Sequence, residues 1–217
     1  MKKSYVNEQI KTLPIVAILR GVEPDEVLKI GTSLYEAGIR VMEVTMNSND
    51  PLKSIELLSS HFEGKMAVGA GTVLSPDQVD QVHDIGGSFI VSPNTNTQVI
   101  ARTDELNMYS LPGAATCTEC FQAIDAGADA LKIFPASVVG AKGIKDLTAV
   151  IPKDIPIFAV GGVTEHNMSD WFQAGAKGIG LGSNIYQAGD SPDEVSRKAQ
   201  IIVTAYSAAV KSSQITA

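Results

Sequence analysis

A lysine stands alone in the apolar run Ala130-Leu131-Lys132-Ile133-Phe134, and a glutamate interrupts Val41-Met42-Glu43-Val44 in the same way. A buried ammonium must pair or give up its proton, and a lysine of lowered pKa can attack a ketone to form an imine. The plainer alternative is a lysine whose stem is buried while its head snorkels to water or pairs structurally. Glu43 is either the counter-ion of that lysine or an acid/base group beside a reacting carbonyl, its pKa drawn toward neutrality by desolvation. Residue types alone leave both choices open.

Other chemistry-bearing residues close or follow apolar runs. Arg20, directly after Ile15–Leu19, offers a bidentate fork for a carboxylate. Thr72 offers a hydroxyl, Pro93 ends the fourth run, and Phe134 shares a strand face with Lys132 and can wall a reacting carbon. Gly161-Gly162 and Gly182-Ser183 end the last two runs, where exposed backbone N–H groups would cradle a phosphate. Ordinary tight turns are the alternative for those glycines. Together the residues describe a site for a small phosphorylated keto acid.

Composition narrows the partners. The 217 residues carry a formal net charge of −7, which argues against nucleic acid, since phosphate-backbone binding needs a basic face. No run is long enough to span a bilayer, and Met1–Lys11 lacks a signal-peptide core, so neither membrane nor export is expected and the chain reads as cytoplasmic. Cys117 and Cys120 form a C-x-x-C, but His61, His83 and His166 lack ligand spacing, so two reduced thiols at a helix start are expected, with no metal and no cofactor.

The elements that must position these residues recur about every 20 to 26 residues as an apolar run, a turn and an amphipathic stretch. Strands are expected at Ile15–Leu19, Val41–Thr45, Met66–Ala70, Phe89–Ser92, Met108–Leu111, Ala130–Phe134, Ile157–Val160 and Gly178–Leu181. Helices are expected to open at Pro24, at Asp50-Pro51 and Ser75-Pro76 with side-chain caps, at Thr164, and at Ser191-Pro192. Gly38, Gly86, Gly127 and Gly175 fall where left-handed helix ends are wanted. Eight strands alternating with helices, without a Gly-x-Gly-x-x-Gly after the first, point to an α/β fold of the closed (β/α)8 TIM barrel type, a single domain over 1–217 with an N-terminal helical extension at 1–12. Active sites in such barrels lie at the C-terminal strand ends, where the residues above fall.

Eight segments, one per strand and in order, resemble the bacterial 2-keto-3-deoxy-6-phosphogluconate aldolases and their 6-phosphogalactonate relatives. They are Pro14-Ile-Val-Ala-Ile-Leu-Arg-Gly21, Glu43-Val-Thr45, Val68-Gly-Ala-Gly-Thr-Val-Leu74, Val91-Ser-Pro-Asn94, Leu111-Pro-Gly113, Ala130-Leu-Lys-Ile-Phe-Pro135, Ala159-Val-Gly-Gly-Val-Thr164 and Gly180-Leu-Gly-Ser183. The resemblance implies a metal-free homotrimeric class I aldolase that cleaves its substrate reversibly to pyruvate and glyceraldehyde 3-phosphate. It implies Lys132 as the Schiff-base lysine and Glu43 as the general acid/base. It places Arg20, Thr72, Pro93 and Phe134 around the pyruvate half, and Gly161, Gly162, Gly182 and Ser183 on the phosphate.

There is one departure from the phosphogluconate pattern. Those enzymes carry an arginine in a Thr-Leu-Arg-Thr setting after the strand-two glutamate, where this chain reads Thr45-Met46-Asn47-Ser48. The Asn-Ser pair resembles the phosphogalactonate aldolases, and sugar choice is expected to shift with the lost arginine. The alternatives are the phosphogluconate substrate of the Entner–Doudoroff pathway, a phosphosugar isomerase or epimerase using Glu43 without covalent chemistry, and a silent barrel that binds a phosphorylated regulator.

Overall fold

The computed structural model describes residues 2–215, with side chains as far as Val210. Its strands are β1 (Ile15–Leu19), β2 (Val41–Thr45), β3 (Ala67–Gly71), β4 (Phe89–Val91), β5 (Tyr109–Leu111), β6 (Gly113–Ala114), β7 (Leu131–Ile133), β8 (Ile157–Val160) and β9 (Gly178–Leu181). All pair in parallel, in the order β5-β4-β3-β2-β1-β9-β8-β7-β6. The two ends of that order are joined only by Pro112. Proline has no N–H to continue a ladder, and the expected fifth strand, Met108–Leu111, ends just before it while pairing resumes at Gly113. The Pro112 carbonyl still accepts from Lys132 N–H at 2.9 Å, and the Ser110 carbonyl from Ala130 N–H at 3.2 Å. β5 and β6 are therefore two halves of one bent strand, and the (β/α)8 barrel closes through the bend. The same bend sets Gly113 in register with Lys132.

The intervening helices are α1 (Lys2–Thr12), α2 (Val27–Glu36), α3 (Pro51–His61), α4 (Pro76–Asp84), α5 (Thr97–Glu105), α6 (Cys117–Asp125), α7 (Ala136–Thr148), α8 (Met168–Gln173) and α9 (Pro192–Ile215). Ser75 caps α4 as expected, accepting from Gln78 N–H at 3.4 Å. Asp50 does not cap α3; it adopts φ +38° ahead of Pro51 and makes no side-chain cap bond. The residue before a proline is driven from the right-handed helical region. The expected helix at Pro24 begins later, at Val27, because Glu23–Glu26 close a single turn first. Cys117 and Cys120 are free thiols in the first turn of α6.

Four helix exits carry glycine in the left-handed region: Gly38, Gly86, Gly127 and Gly175, at φ +105°, +89°, +100° and +105°. Each donates its N–H to the carbonyl three residues back, and the next residue donates to the carbonyl five back. Asn107, at φ +53°, closes α5 with the same two bonds. Asparagine tolerates that conformation better than most residues.

Apolar side chains fill two layers. The larger lies between strands and helices; the smaller lies inside the barrel, where Phe89 and Phe158 fill the space left by Gly69 and Gly178. α1 lies across the N-terminal strand ends and buries Val6 against the inner layer. Lys3 pins it to Asp129 at 3.1 Å and to Asp104, and Lys2 Nζ donates to the Gly87 carbonyl at 3.1 Å. The barrel is thus plugged at the bottom and opens at the C-terminal strand ends.

Candidate active site

Glu43 on β2 and Lys132 on β7 both project inside the barrel, 1% and 7% exposed. Two opposite charges at this depth would be expected to close on each other. They do not: among the described residues neither belongs to an ion pair, and Glu43 Oε2 has no hydrogen-bond partner. The simple reading of Lys132 and Glu43 as a structural salt bridge therefore loses its support. Lys132 Nζ instead lies 4.9 Å from the Phe134 ring centroid, so an apolar face bounds it on one side.

Burial pushes the Glu43 carboxyl above its ordinary value, with the charges of Lys132 and then Arg20 pulling it back. Burial lowers the Lys132 ammonium; Glu43 opposes that change and Arg20 adds to it. Both shifts favour the neutral forms, an amine that can attack and a carboxyl that can donate a proton.

Gly71, which ends β3, makes this arrangement possible. A Cβ at this position would overlap Glu43 Oε1 and Cδ, so the carboxylate occupies the place of a side chain. The next residue, Thr72, is held at φ +58°, a left-handed conformation that costs a β-branched residue energy and often marks a functional turn. Across the barrel, a Cβ at Gly113 would strike the Pro93 carbonyl, so Pro93 packs beside the residue in register with Lys132. Gly71→Ala should displace Glu43. We expect kcat to fall about a hundredfold, as for an ångström-scale misplacement of a reacting group, with a stability loss of about 1–3 kcal/mol from overpacking. Steady-state kinetics and urea unfolding measure the two; an unchanged kcat would remove Gly71 from the site.

A cavity of about 430 Å³ is lined by Ile18, Arg20, Phe134, Val160 and the turns after β8 and β9. Arg20, Phe134, Gly161, Gly162, Gly182 and Ser183 all line it, whereas Lys132, Glu43, Thr72 and Pro93 do not. The expected residues thus fall into a group that lines the cavity and a group, Lys132, Glu43, Thr72 and Pro93, that does not. Phe134 joins them, facing Lys132 on one side and Gly161 on the other.

The β8 turn needs its glycines. Gly161 and Gly162 take φ +92° and +82°, and a Cβ on Gly162 would come within 2.7 Å of Ser137 Cβ. Ser137 N–H and Asn167 Nδ2 hold their carbonyls at 3.0 and 2.9 Å. Gly182 has ordinary backbone, and its carbonyl accepts from Ile185 and Tyr186 N–H groups at 2.9 and 3.0 Å, closing a single helical turn. Among the described residues the N–H groups of Gly162, Ser183 and Asn184 meet no acceptor in the protein. Donors of this kind suit an anion. They belong to the turns themselves, since α8 is short and α9 starts only at Pro192.

Sequence reasoning passed over Asn184, Tyr186 and Gln187, which also line the cavity. Tyr186 Oη donates to Glu26 Oε1 at 2.8 Å, tying the β9 turn to the start of α2. Asn184 was findable, being next to Gly182-Ser183; Tyr186 was not, since its partner lies 160 positions away.

The sequence model of one family, KDPG and KHG aldolase, matches residues 6–198. The 2-dehydro-3-deoxy-6-phosphogalactonate aldolase of Escherichia coli K12 is 46% identical over 92% of this chain and 97% of its own length. A probable 2-dehydro-3-deoxy-6-phosphogalactonate aldolase of Rhizobium meliloti is 42% identical over 90% of this chain and 92% of its own. A solved structure described as native KDPGal superposes with a TM-score of 0.90 at 46% identity, covering 92% of this chain and 97% of that one. With barrel, buried amine and family pattern in agreement from residue 6 to residue 198, the chain belongs to the KDPG and KHG aldolase family and is a class I aldolase, a carbon–carbon lyase.

Proposed function

We propose that this chain cleaves 2-dehydro-3-deoxy-6-phosphogalactonate reversibly to pyruvate and D-glyceraldehyde 3-phosphate, with Lys132 as the imine-forming residue and Glu43 as the proton shuttle. The observation that carries the reading is the buried Lys132 amine, in no ion pair among the described residues, on a barrel strand with the Glu43 carboxyl inside the same barrel. The neutral amine adds to the C2 carbonyl, and Glu43 gives a proton to the departing hydroxyl so that water leaves and the protonated imine forms. Glu43, now a carboxylate, takes the proton of the C4 hydroxyl. The C3–C4 bond breaks, the C4 oxygen becomes the aldehyde, and the bond's electron pair moves into the imine to give an enamine. Protonation at C3 and hydrolysis then release pyruvate and the free amine.

In this reading Arg20 receives the substrate carboxylate, with Thr72 and Pro93 lining the pyruvate half and Phe134 shielding the imine. The open N–H groups around Gly161, Gly162, Gly182 and Ser183 take the phosphate. The sugar assignment is supported by the names of the two relatives above. Cleavage of the galactonate and gluconate epimers under identical conditions tests it. We expect kcat/KM to favour the galactonate epimer by about tenfold or more, which a few contacts can supply. Preference for the gluconate epimer would replace the substrate.

We also propose one catalytic domain over residues 1–217 acting as a cytoplasmic homotrimer. In support, no helix among the described residues is long and apolar enough to cross a membrane. Val138, 80% exposed, and Phe121 leave apolar surface for subunit contacts. Sedimentation should give three times the 22.9 kDa chain mass.

A further inference from the structure

The guanidinium of Arg20 stands at the cavity wall without an acidic partner among the described residues. Its Nη1 donates to Asn47 Oδ1 at 2.7 Å. The hydroxyl of the next residue, Ser48, accepts from Gly21 N–H at 2.9 Å and lies 3.0 Å from the Thr45 hydroxyl. Gly21 itself turns at φ +77°. The loop after β2 therefore grips the loop after β1 twice, once by the Arg20 side chain and once by the backbone beside it.

A guanidinium has five N–H donors on a long, flexible stem, and freezing that stem opposes binding. Asn47 takes up one donor and leaves the rest of the fork free. Being neutral, it orients the group without cancelling its charge, which an aspartate in its place would do. The bond is exposed, so it contributes orientation more than stability. Held this way, the guanidinium stands on the same cavity as Phe134, whose ring lies 4.9 Å from Lys132 Nζ.

We propose that Asn47 and Ser48 are positioning residues for Arg20, acting on the carboxylate-bearing pyruvate half of the substrate rather than reading the sugar epimer. This rests on the reading of Arg20 as the carboxylate receptor. It revises the sequence expectation that the Asn-Ser pair shifts sugar choice: Asn47 Oδ1 is occupied by Arg20, and the Ser48 hydroxyl by Gly21 and Thr45.

Exchange of pyruvate methyl protons with heavy water, run without any aldehyde, isolates that half of the reaction. Asn47→Ala should raise the KM for pyruvate about two- to tenfold, the worth of one neutral hydrogen bond, with kcat for exchange within about twofold; Ser48→Ala should move it in the same direction. Arg20→Met should raise KM about ten- to a hundredfold, as for a charged bond, and adding Asn47→Ala to it should cost nothing more. The epimer ratio in cleavage should be the same for Asn47→Ala and the parent. If Arg20→Met raises KM while Asn47→Ala does not, or if Asn47→Ala changes the epimer ratio, the positioning role is wrong and the receptor role stands. If Arg20→Met leaves KM unchanged, the receptor role itself falls and the positioning role with it.

Discussion

Lys132→Met abolishes carbon–carbon cleavage, lowering kcat by about ten-thousand-fold or more, as loss of a covalent nucleophile does. The parent protein incubated with pyruvate and borohydride gains a covalent adduct at Lys132, and the variant gains none. Methionine keeps the length and apolar contacts of the stem beside Phe134 while removing the amine. Folding should survive. Burial lowers the Lys132 pKa in the folded protein, so the unfolded chain binds the proton more tightly. The resulting penalty grows as pH falls from the ordinary lysine value through the folded one, and it is fully present below both. The variant escapes it, and its unfolding midpoint at neutral pH should not fall below the parent's. An adduct at another residue, or cleavage retained by the variant, would remove Lys132 from the chemistry.

Glu43→Gln lowers kcat by roughly a hundred- to ten-thousand-fold, the range for a positioned acid/base group. The effect on stability has the opposite pH sign to that of Lys132. Burial raises the carboxyl's folded pKa; its penalty is absent below the ordinary carboxylate value and grows as pH rises through the folded one. The glutamine variant should therefore gain most over the parent at neutral and higher pH, as followed by chemical denaturation at several pH values. A kcat within tenfold of the parent's would move the proton shuttle to another group.

Much of this was legible in the residues because it rests on local rules. Alternating apolar runs and turns placed β1, β2, β8 and β9 residue for residue. Glycine marked four of the helix exits, and a charge in an apolar strand marked Lys132 and Glu43. What escaped depends on distance in sequence or on substitutes for the usual residue. Asn107 closes α5 as glycine closes the others, and a search for glycine passes over it. The break at Pro112 looked like a strand end, because the partner that continues the barrel, β7, cannot be read from the proline. The space that Gly71 cedes to Glu43 and the Asn47–Arg20 bond both join neighbouring strands or their loops; local periodicity carries no record of either.

The uniform helix exits have a further consequence. They lie at the plugged end of the barrel, and five of them use one and the same pair of backbone bonds. At the open end no two turns described above are alike: one is clamped by Asn47 and Ser48, another is built on paired glycines, a third is tied by Tyr186 to Glu26. The instructions for stopping a helix are thus kept apart from those for holding a substrate. A lineage can rewrite one mouth loop at a time and keep a foldable protein throughout, and chimeras that exchange single mouth loops between relatives should inherit the same freedom.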